Sequence, residues 1–208
     1  MTDVMKLDGE DWDESMFEDV FGDTAEYVKL VVFLVDSSGS MEGTIIGSVN
    51  SIMEEVLSEL ERDKGHKRLV VIEFGEEVTW MNSDPKTVEE FGSWKRLHGG
   101  TLSNMGEALK QLSEKLKDPN WCPKGRKGVS GRFILFSDGL ATDRYEEGME
   151  LLKSQEVFQK GERLAVNLSD KMDKSVLEDF TGKTENVLCI KSSEIGKAEK
   201  KILSVITN

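Results

Sequence analysis

The chain has 208 residues, two cysteines and a formal net charge of −13. A chain of this length buries about 70% of its unfolded surface, which predicts one domain with a sizeable core. No apolar run approaches the ~18 residues of a membrane helix, and the first residues lack the basic and apolar regions of a secretory signal. Two cysteines cannot form a disulfide framework, so we expect a reducing, cytoplasmic location. The acidic charge argues against nucleic acid as a partner, and we expect no membrane partner either.

The negative charge is concentrated at the start of the chain. Residues 1–28 contain ten acidic residues and one lysine, a net charge of −9, which leaves −4 for residues 29–208. We therefore expect an acidic N-terminal arm over 1–28 and a single domain over 29–208. Five large apolar residues of the arm share one helical face: Trp12, Met16, Phe17, Val20 and Phe21. This pattern predicts an amphipathic helix that docks on its own domain or on a partner, including a second copy of the chain, with disorder as the alternative.

Strand-like and helix-like segments alternate through the domain. Apolar and β-branched runs predict strands at 30–35, 69–74, 78–81, 133–136, 164–168 and 187–190. Apolar residues at helical spacing predict helices between these strands. A turn at Gly75 joins the second and third strands into a hairpin. The expected fold is α/β: a doubly wound, mainly parallel sheet of about six strands, with one antiparallel edge strand and helices on both faces.

The sequence predicts where the helix after the strand at 133–136 begins and ends. The apolar pattern that begins at Tyr145 continues to about Gln159, which predicts one helix over that range. Asp143 and Glu146 match the spacing of a capping box at its start.

Oxygen-bearing side chains follow the strands at the edge where an open parallel sheet binds ligands. Asp36, Ser38 and Ser40 follow the first strand, and Asp138 follows the strand at 133–136. Thr101 lies on a loop that can reach the same edge, after two glycines that allow close backbone approach. Two carboxylates and three hydroxyls without histidine or cysteine favour a hard cation such as Mg²⁺. Turn formation and helix capping are the alternative explanation for each segment taken alone.

The segments Asp36-x-Ser38-x-Ser40, Gly-Gly-Thr101 and Ser-Asp138-Gly occur in the order typical of a known family. Together they resemble the metal-ion-dependent adhesion site (MIDAS) of von Willebrand factor type A (vWA) domains, and the resemblance covers residues 29–208. Within this family, the chain most resembles intracellular bacterial members, including TerY-type proteins of tellurium-resistance gene clusters. This resemblance suggests a role in a bacterial stress response.

The resemblance implies a role for each residue of the site. Ser38 and Ser40 would coordinate Mg²⁺ directly, Asp36 and Asp138 directly or through water, and Thr101 directly in one of two states. Mn²⁺ and Ca²⁺ are alternative ions. The open position would accept a Glu or Asp carboxylate from a partner protein.

The function expected from these observations is a metal-dependent protein-binding module without enzymatic activity. No Ser, His and acid are arranged as a catalytic triad, and Asp36 is not followed by the second Asp of an aspartate-nucleophile phosphatase. A hydrolase that uses the metal to activate water is the enzyme alternative, although no general base can be named. The third alternative is an α/β scaffold whose site holds no metal.

Overall fold

A computed structural model of the protein describes residues 28–63, 66–122 and 128–208. The predicted arm over 1–28, apart from Val28, lies outside these ranges. Residue 28 begins the first strand, next to the predicted domain boundary at 29.

The strands form one six-stranded sheet in the order β3-β2-β1-β4-β5-β6. Their bounds are β1 Val28–Asp36, β2 Lys67–Phe74, β3 Val78–Trp80, β4 Val129–Phe136, β5 Glu162–Asn167 and β6 Val187–Cys189. β3 is antiparallel to β2, and all the other neighbours are parallel. The predicted architecture, including the antiparallel edge strand, is therefore confirmed.

Helices cover both faces of the sheet. Their bounds are α1 Thr44–Arg62, α2 Val88–Phe91, α3 Met105–Lys115, α4 Tyr145–Lys153, α5 Glu156–Gln159, α6 Lys174–Thr181 and α7 Ile195–Thr207. β1 is central and buried, so its alternate residues enter two separate cores. Val31, Phe33 and Val35 pack in the core that contains α1 and α7. The intervening β1 residues pack in the core that contains α3, α4, α5 and α6.

The predicted helix from Tyr145 to Gln159 is wrong in its length. It is broken into α4 and α5, because Gln155 has an extended backbone with ψ 125°. Ser154 ends α4, and its hydroxyl donates to the carbonyl oxygen of Leu151 at 2.6 Å. A serine hydroxyl that bonds to a carbonyl oxygen of the preceding turn competes with helix continuation, and the apolar spacing alone did not reveal this.

The predicted capping box at Asp143 is also wrong. The residue that precedes α4 is Arg144, which makes no side-chain cap. The Asp143 carboxylate instead accepts hydrogen bonds from the backbone N–H groups of Gly106 and Glu107, at 2.9 and 3.0 Å, in the first turn of α3. Asp143 therefore caps the neighbouring helix and joins the loop before α4 to the start of α3.

The close packing of α3 against α4 depends on glycine. A Cβ atom added at Gly148 of α4 would overlap the carbonyl oxygen of Gly106 in α3, whereas a Cβ atom added at Gly47 of α1 would meet no heavy atom within 4 Å. We expect Gly148→Ala to lower the free energy of unfolding by ~1–3 kcal/mol through overpacking. Gly47→Ala, the matched control, should raise it by ~0.5–1 kcal/mol because alanine favours helix. Urea unfolding of both variants measures the difference, and equal effects would contradict this packing.

Candidate metal site

The site is built where β1 and β4, which are adjacent in the sheet, end at the same edge. Asp36 is the last residue of β1, and Asp138 lies two residues beyond the end of β4. Both carboxylates are completely buried. The parallel sheet thus places two acidic residues from distant parts of the sequence at one edge, as the sequence predicted.

Hydrogen bonds fix the Asp36 carboxylate from both sides. Its Oδ1 accepts from the backbone N–H of Ser38 at 2.9 Å. Its Oδ2 accepts from the hydroxyls of Ser137 and Ser103, at 2.7 and 3.2 Å. Burial raises the pKa of Asp36 above its ordinary value, and the charge of Asp138 adds to that rise, whereas the bonds from Ser38 and Ser137 act in the opposite direction. The orientation of Asp36 is therefore set by donors from three separate loops.

Asp138 has an oxygen with no partner. Its Oδ1 accepts from the backbone N–H of Leu140 at 3.0 Å. Its Oδ2 is buried and forms no hydrogen bond. Across 28–63, 66–122 and 128–208, no ion pair joins a lysine, arginine or histidine to Asp36 or Asp138. A buried carboxylate oxygen without a partner is costly, and a bound cation would satisfy it.

The serines after β1 meet beside these carboxylates. The hydroxyls of Ser38 and Ser40 lie 3.2 Å apart, with Ser38 buried and Ser40 exposed. Hydrogen bonds thus connect three of the five predicted ligands, Asp36, Ser38 and Ser40, and the charge of the fourth, Asp138, acts on Asp36. Carboxylate and hydroxyl oxygens are donors that suit Mg²⁺ or another hard divalent cation, so the residues present fit such an ion.

The fifth predicted ligand, Thr101, reaches the site with its backbone. Its carbonyl oxygen accepts from the N–H of Gly39 at 3.4 Å, while its exposed hydroxyl donates to Glu76 at 3.3 Å. The preceding Gly100 donates its N–H to the carbonyl oxygen of Ser37 at 2.5 Å, and a Cβ atom there would lie 3.2 Å from that oxygen. The predicted close approach of this loop is confirmed. The Thr101 hydroxyl itself is bound to Glu76.

Sequence reasoning missed three residues of the site. Ser103 and Ser137 hold Asp36, and Glu76 holds Thr101. Ser137 stands beside Asp138 in its motif and could have been found there. Glu76 and Ser103 carry no such pattern, because their roles depend on how the β2–β3 turn and the loop before α3 meet in space.

Comparisons with known proteins agree with this fold. The family model of the von Willebrand factor type A domain matches residues 31–201. No protein among the curated sequences matches significantly. Among the described helices, none combines the length and the apolar character that a membrane-spanning segment requires.

Solved structures similar to this chain are distant in sequence. Proximal thread matrix protein 1 from the mussel byssus, with a zinc-occupied MIDAS motif, is 16% identical with a TM-score of 0.66, over 86% of this chain and 48% of that one. The vWF domain of the type V pili tip protein Mfa5 from Porphyromonas gingivalis is 10% identical with a TM-score of 0.65, over 87% and 95%. This chain spans about half the length of the mussel protein. These likenesses show the fold.

The unpartnered oxygen of Asp138 predicts how the stability of the protein responds to metal. Mg²⁺ at a 100-fold excess over its Kd should raise the free energy of unfolding by about 2.7 kcal/mol. Asp138→Asn should abolish this increase. Without metal, this variant should be at least as stable as the wild type, because it removes a buried charge.

Urea unfolding with Mg²⁺ and with chelator measures both effects. Glu89→Gln is the matched control, since it removes an exposed carboxylate from the opposite edge of the sheet and should keep the full response to Mg²⁺. A wild-type response in Asp138→Asn would contradict the assignment of this oxygen to the metal.

Proposed function

Because the chain belongs to the von Willebrand factor type A family, we propose that it is a divalent-cation-dependent protein-binding module. The observation that carries the proposal is the pair of buried carboxylates, Asp36 and Asp138, with the unpartnered Asp138 Oδ2 and no ion pair from any described cation. A cation bound there would supply a positive charge close to the exposed Ser40. That charge would attract an anionic group of a partner.

Mg²⁺ is the ion we propose for this site, held by Asp36, Ser38, Ser40, Thr101 and Asp138, directly or through water. The hydroxyl ligands are neutral, so Asp36 and Asp138 are the charged ligands of the set. They cancel the formal charge of the divalent ion, but the ion still attracts a third carboxylate. Mg²⁺ also keeps several waters, one of which an incoming ligand can replace. The mussel protein with a zinc-occupied MIDAS motif supports metal binding by this fold without identifying the ion used here.

The partner group that suits an open position on such an ion is a Glu or Asp carboxylate. Ser40 and Thr101 are exposed, so a side chain from another protein can approach them. We propose a binding role rather than enzymatic activity, since the chain belongs to the von Willebrand factor type A family. The bacterial, cytoplasmic and tellurium-resistance setting that the TerY-type resemblance implies stays a prediction.

Calorimetry with Mg²⁺, Mn²⁺ and Ca²⁺ tests the metal site. The wild type should bind Mg²⁺ at one site, and Asp36→Ala should bind none. Ser137→Ala removes a donor to Asp36 without removing a ligand, so its affinity for Mg²⁺ should fall roughly 10–100-fold. Ser113→Ala is the matched control, because Ser113 is an equally buried serine near the C-terminal end of α3. Its hydroxyl donates to the carbonyl oxygen of Leu151 in α4, not to a residue of the site. Absence of binding by the wild type would remove the proposal.

Affinity capture from native lysate tests the partner. Proteins retained by the immobilised wild type should be released by chelator and restored by added Mg²⁺, and Asp36→Ala should retain none of them. Blocking carboxylates of the captured protein by amidation should abolish capture. Retention that is insensitive to chelator would contradict metal-dependent binding, and metal-dependent turnover of a phosphoester by the same sample would favour the hydrolase instead.

A further inference from the structure

The loops that form the metal site also expose large apolar side chains. Within the described residues, the exposed large apolar side chains are Leu102 at 46%, Leu140 at 42%, Met172 at 39% and Leu151 at 37%. The first three lie on loops at the site edge, and we call them the apolar rim. Single exposed apolar residues need no explanation, but a group of them around one site marks a contact surface.

Hydrogen bonds hold the three loops of the apolar rim together. Leu102 follows Thr101, and the next residue, Ser103, donates its N–H to the Thr142 hydroxyl and accepts from the Thr142 N–H, both at 2.9 Å. These bonds join the loop of Leu102 to the loop of Leu140. Met172 precedes Asp173, whose N–H donates to the carbonyl oxygen of Asp138 at 2.8 Å. The rim residues are therefore attached to the same backbone as the ligands Thr101 and Asp138.

This surface suits a segment in which carboxylates stand next to large apolar side chains. One carboxylate would bind the metal, and its apolar neighbours would cover the rim. The chain itself contains such a segment outside the described residues. Residues 10–17, Glu-Asp-Trp-Asp-Glu-Ser-Met-Phe, combine four acids with Trp12, Met16 and Phe17. The segment has the charge that a cation site selects and the apolar surface that the rim would bury.

The length of the chain allows this segment to reach the site. The described structure begins at Val28, the opposite end of β1 from Asp36. β1 has nine residues, so its two ends are about 30 Å apart. Phe17 precedes Val28 by eleven residues, which span up to ~36 Å when extended, and residues 10–16 reach farther. A tethered segment also acts at an effective concentration in the millimolar range, which favours binding within one chain.

We propose that residues 10–17 bind across the apolar rim of their own chain and place a carboxylate at the metal. This inference rests on the proposed function. It adds regulation to it, because the arm competes with the partner for the same metal position. A partner must then displace the arm, so the observed affinity for the partner is lower than its affinity for an open site. The reduction depends on the fraction of molecules in which the arm occupies the metal.

Nuclear magnetic resonance of the full, ¹⁵N-labelled chain tests the proposal, with paramagnetic Mn²⁺ as the probe and Mg²⁺ as its diamagnetic reference. Amide signals of residues 100–103 report whether the site holds the ion. With Mn²⁺ bound, the signals of residues 10–17 should broaden as well, and to the same extent after tenfold dilution. Loss of the broadening on dilution would overturn binding within one chain.

Matched variants separate the arm from the metal site. Replacing Leu102, Leu140 and Met172 together by serine should restore the arm signals while signals 100–103 remain broadened, and Leu151→Ser should leave the arm signals broadened. Trp12→Ser with Phe17→Ser should also restore the arm signals. Arm signals that stay sharp in the wild type while signals 100–103 broaden would overturn this inference and leave the proposed function intact.

Two further outcomes overturn the inference in different ways. Arm signals that broaden equally in Asp36→Ala and Ser40→Ala would show that Mn²⁺ is held by the acids of the arm alone. If signals 100–103 are unaffected by Mn²⁺, the metal site itself is absent and the proposed function fails with the inference.

Discussion

Two carboxylates that end neighbouring strands, Asp36 and Asp138, are both removed from water at one edge of the sheet. Burying one charge without a counter-ion is costly, and burying two together adds their repulsion. Donors from the protein compensate this cost only in part. Asp36 receives three hydrogen bonds, whereas Asp138 keeps an oxygen with none. The described side chains therefore supply no positive charge to balance these two carboxylates.

The rest of the fold holds the loops that face this charge. Asn50, buried in α1, donates to the carbonyl oxygen of Leu97 and accepts from the N–H groups of Leu97 and Trp94, at 2.8–3.0 Å. These bonds fix the connection that leads to Gly99, Gly100 and Thr101. Asp143 does the same for the start of α3 by capping it from the loop before α4. Side chains outside the candidate metal site thus help to position the loops that carry its residues.

The sequence was sufficient to predict which strands bring ligands together, because that follows from a simple rule. The carboxyl ends of parallel strands share an edge, so Asp36 and Asp138 had to be neighbours once both strands were recognised. The roles of Asp143 and Glu76 could not be predicted in the same way. Each makes its contact with a segment distant in sequence, and local spacing favoured a different partner for Asp143. The break between α4 and α5 was missed for a related reason, since a hydroxyl bond at Ser154 overrides a continuous apolar pattern.

The negative charge of the chain is divided unevenly between the arm and the domain. Most of the charge belongs to residues 1–28, and the domain carries only −4. A divalent cation would neutralise Asp36 and Asp138 in charge while leaving coordination positions at the solvent side. By linkage, any carboxylate that binds more tightly when the metal is present must tighten metal binding by the same factor. If a partner carboxylate binds the ion, the affinity for each therefore depends on the presence of the other.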